Sequence, residues 1–477
     1  MRAAGSRPRV ALRIGAAALL LTATGDALAT GAFDKAALSL AWGAPFAAIL
    51  LAIALGPLLA PGFWHHHYGK VSAACALAFL LPFALQFGAT TALHALVHTL
   101  LAEFIPFIIL LTALFATTGG IHVRGNLHGT PAVNTALLGI GAGLASVMGT
   151  TGASMLLIRP LLRANDARRY RTHVVVFFIF LVANIGGSLT PLGDPPLFLG
   201  FLKGVDFFWT TKAMLAPMLV SVAVLLALFF LLDRWFYRQE DQLPVDPTPD
   251  APLRIEGWIN LLVLGPLVLL AVLVSGTWNP GVQFDVLGTP VELQNLARDL
   301  ALIAITFASL RLTAPAVREA NHFEWGPMVE VAKLFAGIFL TIIPVIAILQ
   351  AGREGALAPL VALVTDGAGR PDNPMYFWLT GALSSFLDNA PTYLVFFNLA
   401  GGDAQALMGP LAATLTAISA GAVFMGANTY IGNAPNFMVR SIAVSRGVPM
   451  PSFFGYMLWS GAILLPLFVL LTLVFFR

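Results

Sequence analysis

Long apolar segments recur along the chain. Runs of about 20 residues lie at 39–59, 71–88, 212–232, 257–275 and 454–476. A helix of that length crosses a hydrocarbon core about 30 Å thick and satisfies its own backbone polar groups there. The pattern therefore predicts an all-α, polytopic membrane protein.

Charged residues are scarce, and their positions predict an orientation. Only 10% of the 477 residues are charged and 58% are hydrophobic, whereas about a quarter are charged in soluble domains. We assign the net charge of +3 to topology, because Lys and Arg collect in short cytoplasmic loops. If the chain crosses the membrane in alternating directions, the basic clusters at 159–171 and 440–446 both lie in the cytoplasm only when 132–163 and 374–400 enter and leave from the same face. These two segments are therefore predicted to be re-entrant hairpins.

The first 29 residues have the layout of a cleavable signal peptide. Basic residues such as Arg9 and Arg13 precede an apolar stretch, which ends in the small-residue sequence Ala27-Leu28-Ala29. The alternative is an uncleaved first helix, because Asp26 stands just before the predicted cleavage site.

The remaining chain is predicted to form two halves with the same layout. Each half has about five crossings plus a hairpin and a broken helix, so the halves lie in opposite orientations, as in the inverted repeats of secondary transporters. The predicted parts are a first transmembrane repeat at 30–240 with hairpin 132–163 and broken helix 172–203, a cytoplasmic linker at 241–256, and a second repeat at 257–477 with hairpin 374–400 and broken helix 408–440.

A fixed offset supports a duplication. Thr190 and Thr429 are 239 residues apart, and the same shift relates Gly187 to Gly426. Applied far upstream, it also relates Ser146 to Ser385 in the hairpins. The alternative is a chance likeness between helices that contain Gly and Pro.

Two segments cannot continue as regular helices. Residues 184–196 read NIGGSLTPLGDPP, and residues 426–436 read GANTYIGNAPN. Proline removes backbone donors and clashes with the preceding turn, so each helix should break inside the membrane. The freed backbone groups are tolerated only where they line a site, so both breaks are expected to meet near the midplane.

The candidate binding residues lie in these breaks and at the hairpin tips. Asp194 and Asp388 are the only acids there, and a carboxylate at bilayer depth is costly unless it faces an internal site. The alternative is that each only caps a half-helix. Oxygen ligands suit hard cations, so Asp194 and Asp388 are the candidate ligands of an alkali cation. The full candidate set is Thr150, Thr151, Ser188, Thr190, Asp194, Asp388, Asn389, Thr392, Asn428, Thr429 and Asn433.

Other candidate chemistry is weaker. His94 and His98 are four residues apart near Glu103. The segment that holds them is interpreted as an amphipathic interfacial helix in preference to a metal or proton site. The run 65–67 is assigned to a loop at the membrane surface, and the single Cys75 excludes an intrachain disulfide. The chain has no nucleophile, phosphate-loop or nucleic-acid motif, so a transporter without a resident cofactor is favoured over a membrane-embedded enzyme or receptor.

The strings at 184–196 and SSFLDNAP at 384–391 resemble the ion transporter superfamily, in particular NhaD-type sodium/proton antiporters and arsenite permeases. The resemblance implies a scaffold, a mobile transport domain, a homodimer and elevator-like movement in the bacterial inner membrane. Similar proteins carry citrate and other di- or tricarboxylates with sodium. This chain departs from their typical Ser-Asn-Thr tips, because its tips are 149–151 (Gly-Thr-Thr) and 388–390 (Asp-Asn-Ala).

Electrostatics favours a cation as the transported species. Two intramembrane carboxylates attract sodium or protons, and the four motif segments contain no Lys or Arg to reverse that field. Sodium/proton antiport is therefore preferred, and cation-coupled transport of a small organic anion is the alternative. The offset of 239 relates Asp194 to Asn433 and Gly149 to Asp388, so each half has one acid, and the two acids lie in different elements. One shared site is therefore predicted instead of two symmetric ones.

Overall fold

The computed structural model describes residues 38–125, 127–240 and 252–477. The predicted signal peptide and residues 241–251 of the predicted linker lie outside the described residues. The described chain is mostly helical, and eight of its helices are long and apolar enough to cross a membrane. They are Leu40–Leu59, Pro61–Phe87, Ala89–Thr118, Pro131–Met148, Phe207–Arg238, Asn260–Thr277, Gly326–Gln350 and Phe453–Phe475. The chain is therefore a multi-pass membrane protein.

The helices are numbered in chain order. The first half holds α1 Ala44–Leu59, α2 Pro61–Phe87, α3 Ala89–Thr99, α4 Ile105–Thr118, α5 Pro131–Met148, α6 Thr150–Ala164, α7 Thr172–Leu181, α8 Pro195–Leu202 and α9 Phe207–Arg238. The second holds α10 Gly265–Thr277, α11 Leu293–Leu312, α12 Pro315–Ala320, α13 Gly326–Thr341, α14 Ile343–Gln350, α15 Ala358–Leu363, α16 Asn373–Phe386, α17 Asn389–Leu399, α18 Ala404–Met408, α19 Ala412–Met425, α20 Ala434–Ser445 and α21 Phe453–Phe475.

Four short strands pair outside the helices. Strand β1 (His122–Arg124) pairs antiparallel with β2 (Arg254–Glu256), which ties the last residues of the predicted linker to the first half. Strands β3 (Gln283–Val286) and β4 (Thr289–Glu292) form a hairpin between α10 and α11.

Two details of the first helices differ from prediction. Helix α2 begins at Pro61, ten residues before the predicted span, because proline suits the first helical position. The histidines 65–67 therefore lie inside a helix, and their assignment to a loop was wrong. Residues 89–99 are helical, as interpreted from the sequence, but they also continue through a π-helical turn at Leu100–Phe104 into α4, which the sequence did not indicate.

The ranges predicted as hairpins each contain two helices that pack on each other. Helices α5 and α6 meet at Gly149, whose φ of +82° is a conformation that favours glycine. Helices α16 and α17 meet at 387–388, where the Asp388 side chain accepts a hydrogen bond from the Ala390 N–H at 3.0 Å.

The ranges predicted as broken helices are interrupted at the Gly- and Pro-rich strings. Helix α7 ends at Leu181, a 3-10 turn follows at Ile185–Ser188, and helix resumes as α8 at Pro195. Helix α19 ends at Met425, a 3-10 turn follows at Gly426–Asn428, and helix resumes as α20.

Equivalent hydrogen bonds anchor both interruptions to the neighbouring helix pairs. Thr190 Oγ1 donates to Ser146 O at 2.5 Å, and Thr429 Oγ1 donates to Ser385 O at 2.5 Å. Each bond joins a break to the neighbouring helix pair, and all four residues are related by the offset of 239 seen in the sequence. The offset therefore recurs in local structure, which favours duplication over a chance likeness.

Close glycine contacts make the breaks sensitive to small substitutions. A Cβ added to Gly193 would lie 2.1 Å from Gly187 O, whereas one added to Gly143 in α5 would meet nothing within 4 Å. We expect Gly193→Ala to lower the free energy of unfolding by about 3 kcal/mol, the upper end for overpacking, because a backbone carbonyl cannot rotate away as a side chain can. Gly143→Ala should not destabilise. Thermal unfolding of the purified proteins in detergent tests this, and equal melting temperatures for Gly193→Ala and wild type would contradict it.

A buried ionic network connects the helix pair α5–α6 and the residues that follow it to α9. Asp233 in α9 is fully buried and lies 2.7 Å from Arg168 Nη2 and 2.8 Å from His173 Nε2. Asn134 at the start of α5 donates to the second carboxylate oxygen of Asp233 at 3.0 Å. Arg168 also reaches Glu240 at 3.4 Å. Sequence reasoning used Arg168 only for topology and did not single out its partners, because nothing in the spacing of 168 and 233 indicates that they meet.

Candidate ion-binding site

Asp194 lies where both helix-pair tips and the second break converge. Its Oδ1 accepts hydrogen bonds from Thr150 Oγ1 at 2.9 Å and from Asn433 Nδ2 at 3.2 Å. Its Oδ2 accepts from Asn389 Nδ2 at 2.5 Å. Asp194 and Asn389 are each only 1% exposed, so the carboxylate is enclosed by neutral hydrogen-bond donors.

Backbone geometry fixes this arrangement. The Thr150 N–H donates to Gly193 O at 2.8 Å, which holds the start of α6 against the residue before Asp194. Asp194 occupies the N-cap position of α8, yet its side chain makes no capping hydrogen bond. Capping therefore does not explain Asp194. The Asp388 carboxylate does cap α17, and this cap is compatible with a role in ion binding.

A chain of buried asparagines links the two breaks. Asn184 Nδ2 donates to Asn436 Oδ1 at 2.7 Å, and Asn433 Nδ2 lies 3.3 Å from Asn184 Oδ1. Asn436 Nδ2 in turn donates to the backbone carbonyls of Gly426 and Thr429 at 2.8 and 2.9 Å. Sequence reasoning missed Asn184 and Asn436, although both lie in the quoted strings. Their position at the ends of Gly- and Pro-rich breaks was the signal that could have found them.

Several predicted site residues donate hydrogen bonds to backbone carbonyls instead of to Asp194. Thr190 and Thr429 donate to carbonyls of the helix pairs, and Thr392 donates to Asp388 O at 3.0 Å. Thr151 is the second residue of α6 and half-buried. Of the predicted set, Thr150, Asn389 and Asn433 are the residues hydrogen-bonded to Asp194.

Three side-chain oxygens in the predicted set have no hydrogen-bond partner among the described residues. They are Ser188 Oγ, Asn389 Oδ1 and Asn428 Oδ1, and all three atoms are buried. A buried acceptor without a partner is costly, and oxygens of this kind ligate hard cations. An asparagine amide can turn either its NH2 group or its oxygen toward the site. Asn389 can therefore donate to a bare carboxylate or join it in holding a cation.

Softer metals have no comparable donor set in the part of the chain that the structure describes. Within it, no group of three or more His, Cys, Asp and Glu side chains is placed to hold a metal ion. Glu103 forms an ion pair with Lys203 at the end of α8.

Comparison with known proteins shows which family the chain belongs to. The profile of a protein family described as putative citrate transport matches residues 35–476. The chain belongs to this family. It is also similar to an uncharacterized transporter of Mycobacterium tuberculosis and to one of Mycobacterium bovis. Each is 25% identical over 350 residues, which cover 71% of this chain and 75% of the relative. The chain is accordingly a membrane transporter and not an enzyme.

Proposed function

We propose that the chain is a sodium/proton antiporter in which Asp194 binds a sodium ion and a proton alternately. The observation that carries the proposal is the enclosure of one carboxylate by Thr150, Asn389 and Asn433, which come from three different elements. These donors stabilise a charged carboxylate without neutralising it, so the net charge at the site favours a cation or a proton. The unpartnered oxygens of Ser188 and Asn389 would complete the coordination of sodium.

The transport cycle we propose is elevator-like. The helix pairs α5–α6 and α16–α17, together with both broken helices, would move as one transport domain, because the bonds to Asp194 join them. The helix pairs would be re-entrant hairpins in two inverted repeats, and the remaining helices would form the scaffold of a homodimer in a bacterial inner membrane. Duplication of the break contacts supports this symmetry.

A second candidate is cation-coupled transport of citrate or another di- or tricarboxylate. The family description favours it. In this case Asp194 would bind the coupling cation, and the organic anion would occupy a separate position. Both candidates thus assign the same role to Asp194 and differ in the cargo.

Proton flux in liposomes distinguishes the two candidates. The purified wild-type protein is reconstituted with an internal pH-sensitive dye, and sodium, lithium, citrate or arsenite is added in turn. Antiport predicts that sodium or lithium alone changes the internal pH. A response that requires citrate together with a cation would favour the second candidate, and no response to any addition would contradict both.

Topology gives a separate prediction. We expect Arg169→Cys and Arg446→Cys to react with a membrane-impermeant thiol reagent only from the cytoplasm, because both positions are exposed beside basic clusters. Asp285→Cys in the exposed β3–β4 hairpin should react only from outside. Cys75 is replaced first, which leaves no background thiol. Labelling of 169 or 446 from outside would overturn the orientation.

A further inference from the structure

Four arginines lie on or directly after α6 and α20, two helices that pack against each other. Arg159 and Arg163 lie on α6, Arg440 lies on α20, and Arg446 follows directly at its end. We call these four residues the arginine cluster. The charge of Arg446 acts on both Arg159 and Arg163. Like charges on neighbouring helices repel one another, and a bound anion relieves that repulsion.

The arginine cluster lies beyond the Asp194 site along two helices that start at that site. Thr150 begins α6 and Asn433 immediately precedes α20, and both hydrogen-bond Asp194. At about 1.5 Å per residue, Arg440 lies roughly 10 Å and Arg159 roughly 14 Å along its helix from the site. The cluster is therefore a separate location at one end of the same pair of helices.

Within the part of the chain that the structure describes, the arginine cluster has three kinds of compensating contact. Asp166 acts on Arg163, whose Nη2 also donates to Val123 O at 2.6 Å. Arg440 stacks over the Tyr430 ring, 4.9 Å from its centroid.

Two guanidinium donors in the arginine cluster are buried without a partner. Arg159 Nη1 and Arg440 Nε have no hydrogen-bond partner within residues 38–125, 127–240 and 252–477. An arginine that only sets topology extends to water or lipid headgroups and keeps its donors hydrated. Burial of unpaired donors on two facing helices instead indicates a place prepared for acceptor oxygens.

We propose that the arginine cluster binds a multivalent oxyanion, either a dissolved polycarboxylate or the phosphate headgroup of an anionic lipid. Guanidinium groups match the paired oxygens of carboxylate and phosphate. Because the donors come from two helices, an anion with several charged oxygens bridges α6 and α20 better than a monovalent one. This site goes beyond the proposed function and does not depend on it, since binding here needs no ion at Asp194.

The test measures thermal stabilisation of the full-length protein in uncharged detergent by citrate and, separately, by phosphatidylglycerol. A ligand that binds the folded state raises the unfolding temperature. At least one probe should stabilise wild type and the control Arg238→Gln, an exposed arginine outside the cluster. In Arg159→Gln and Arg440→Gln the apparent affinity should fall at least about tenfold, as expected for loss of a charged hydrogen bond. Arg446→Gln, at an exposed position, provides a third variant should the two half-buried ones fail to fold.

Each outcome decides the proposal. Stabilisation by citrate alone identifies a dissolved polycarboxylate, stabilisation by the lipid alone identifies a headgroup, and both support an oxyanion site. No stabilisation of wild type by either probe, or undiminished stabilisation in all cluster variants that fold, overturns it. Asp194→Asn should keep this binding while losing transport, so failure of the oxyanion site and failure of the proposed antiport are separable.

Discussion

Replacement of Asp194 by asparagine is expected to abolish cation-coupled proton movement and leave the chain folded. Asparagine has nearly the same shape, but it carries no charge to attract sodium and cannot exchange a proton. Thr150, Asn389 and Asn433 would then surround a neutral amide. We expect transport to fall at least a hundredfold, to the leak of empty liposomes, since a site without its ionisable group has no means of coupling.

The matched control for this variant is Asp285→Asn, an acid-to-amide change in the exposed β3–β4 hairpin. It should transport like wild type. Flux is measured with an internal pH dye at equal amounts of reconstituted protein, after thermal unfolding has shown that each variant is folded. Wild-type flux in Asp194→Asn would remove Asp194 from the mechanism.

Asp233→Asn is expected to produce the largest loss of stability. The wild-type carboxylate is fully buried, forms an ion pair with Arg168, and accepts hydrogen bonds from His173 and Asn134. In the variant, the acidic partner that Arg168 keeps among the described residues is the more distant Glu240 at 3.4 Å. Removing one member of a buried ion pair typically costs about 3–5 kcal/mol, because the other charge stays buried without compensation.

Thermal unfolding in detergent measures this cost. Asp285→Asn again provides the control, since the same chemical change at an exposed position should leave the melting temperature unchanged. Double replacement of Asp233 by Asn and Arg168 by Gln should recover part of the loss, because the guanidinium group is no longer buried beside a neutral amide. A melting temperature for Asp233→Asn equal to that of wild type would mean that the network contributes nothing.

The sequence predicts much of the backbone because local signals are strong here. Apolar length predicts the long helices, and Gly and Pro in 184–196 and 426–436 predict where helix stops. The start of α2 was placed too late, because the three histidines at 65–67 were taken as evidence for a loop. Yet polar residues fit a helix that still has water or headgroups at its end, and Pro61 marks the true start.

Long-range contacts were harder to predict. The prediction of one shared site joined the first break to the opposite tip, and the structure brings Asp194 against Asn389, the residue after Asp388. The bond between Asn184 and Asn436 depends on how the two halves pack, and no spacing along the chain encodes it. The same holds for the arginine cluster, whose members were assigned to the cytoplasmic face as two separate basic segments without any sign that α6 and α20 are neighbours.

Competition between sodium and protons at Asp194 is the central claim, and proton release on sodium binding tests it most directly. Sodium is titrated into the purified protein by calorimetry in two buffers with different heats of ionisation, at several pH values. The account predicts that, where Asp194 is protonated, each bound sodium releases one proton and sodium affinity falls about tenfold for each unit decrease in pH. Asp194→Asn should bind no sodium and release no proton. Sodium binding that is independent of pH, or that persists in Asp194→Asn, would contradict the account.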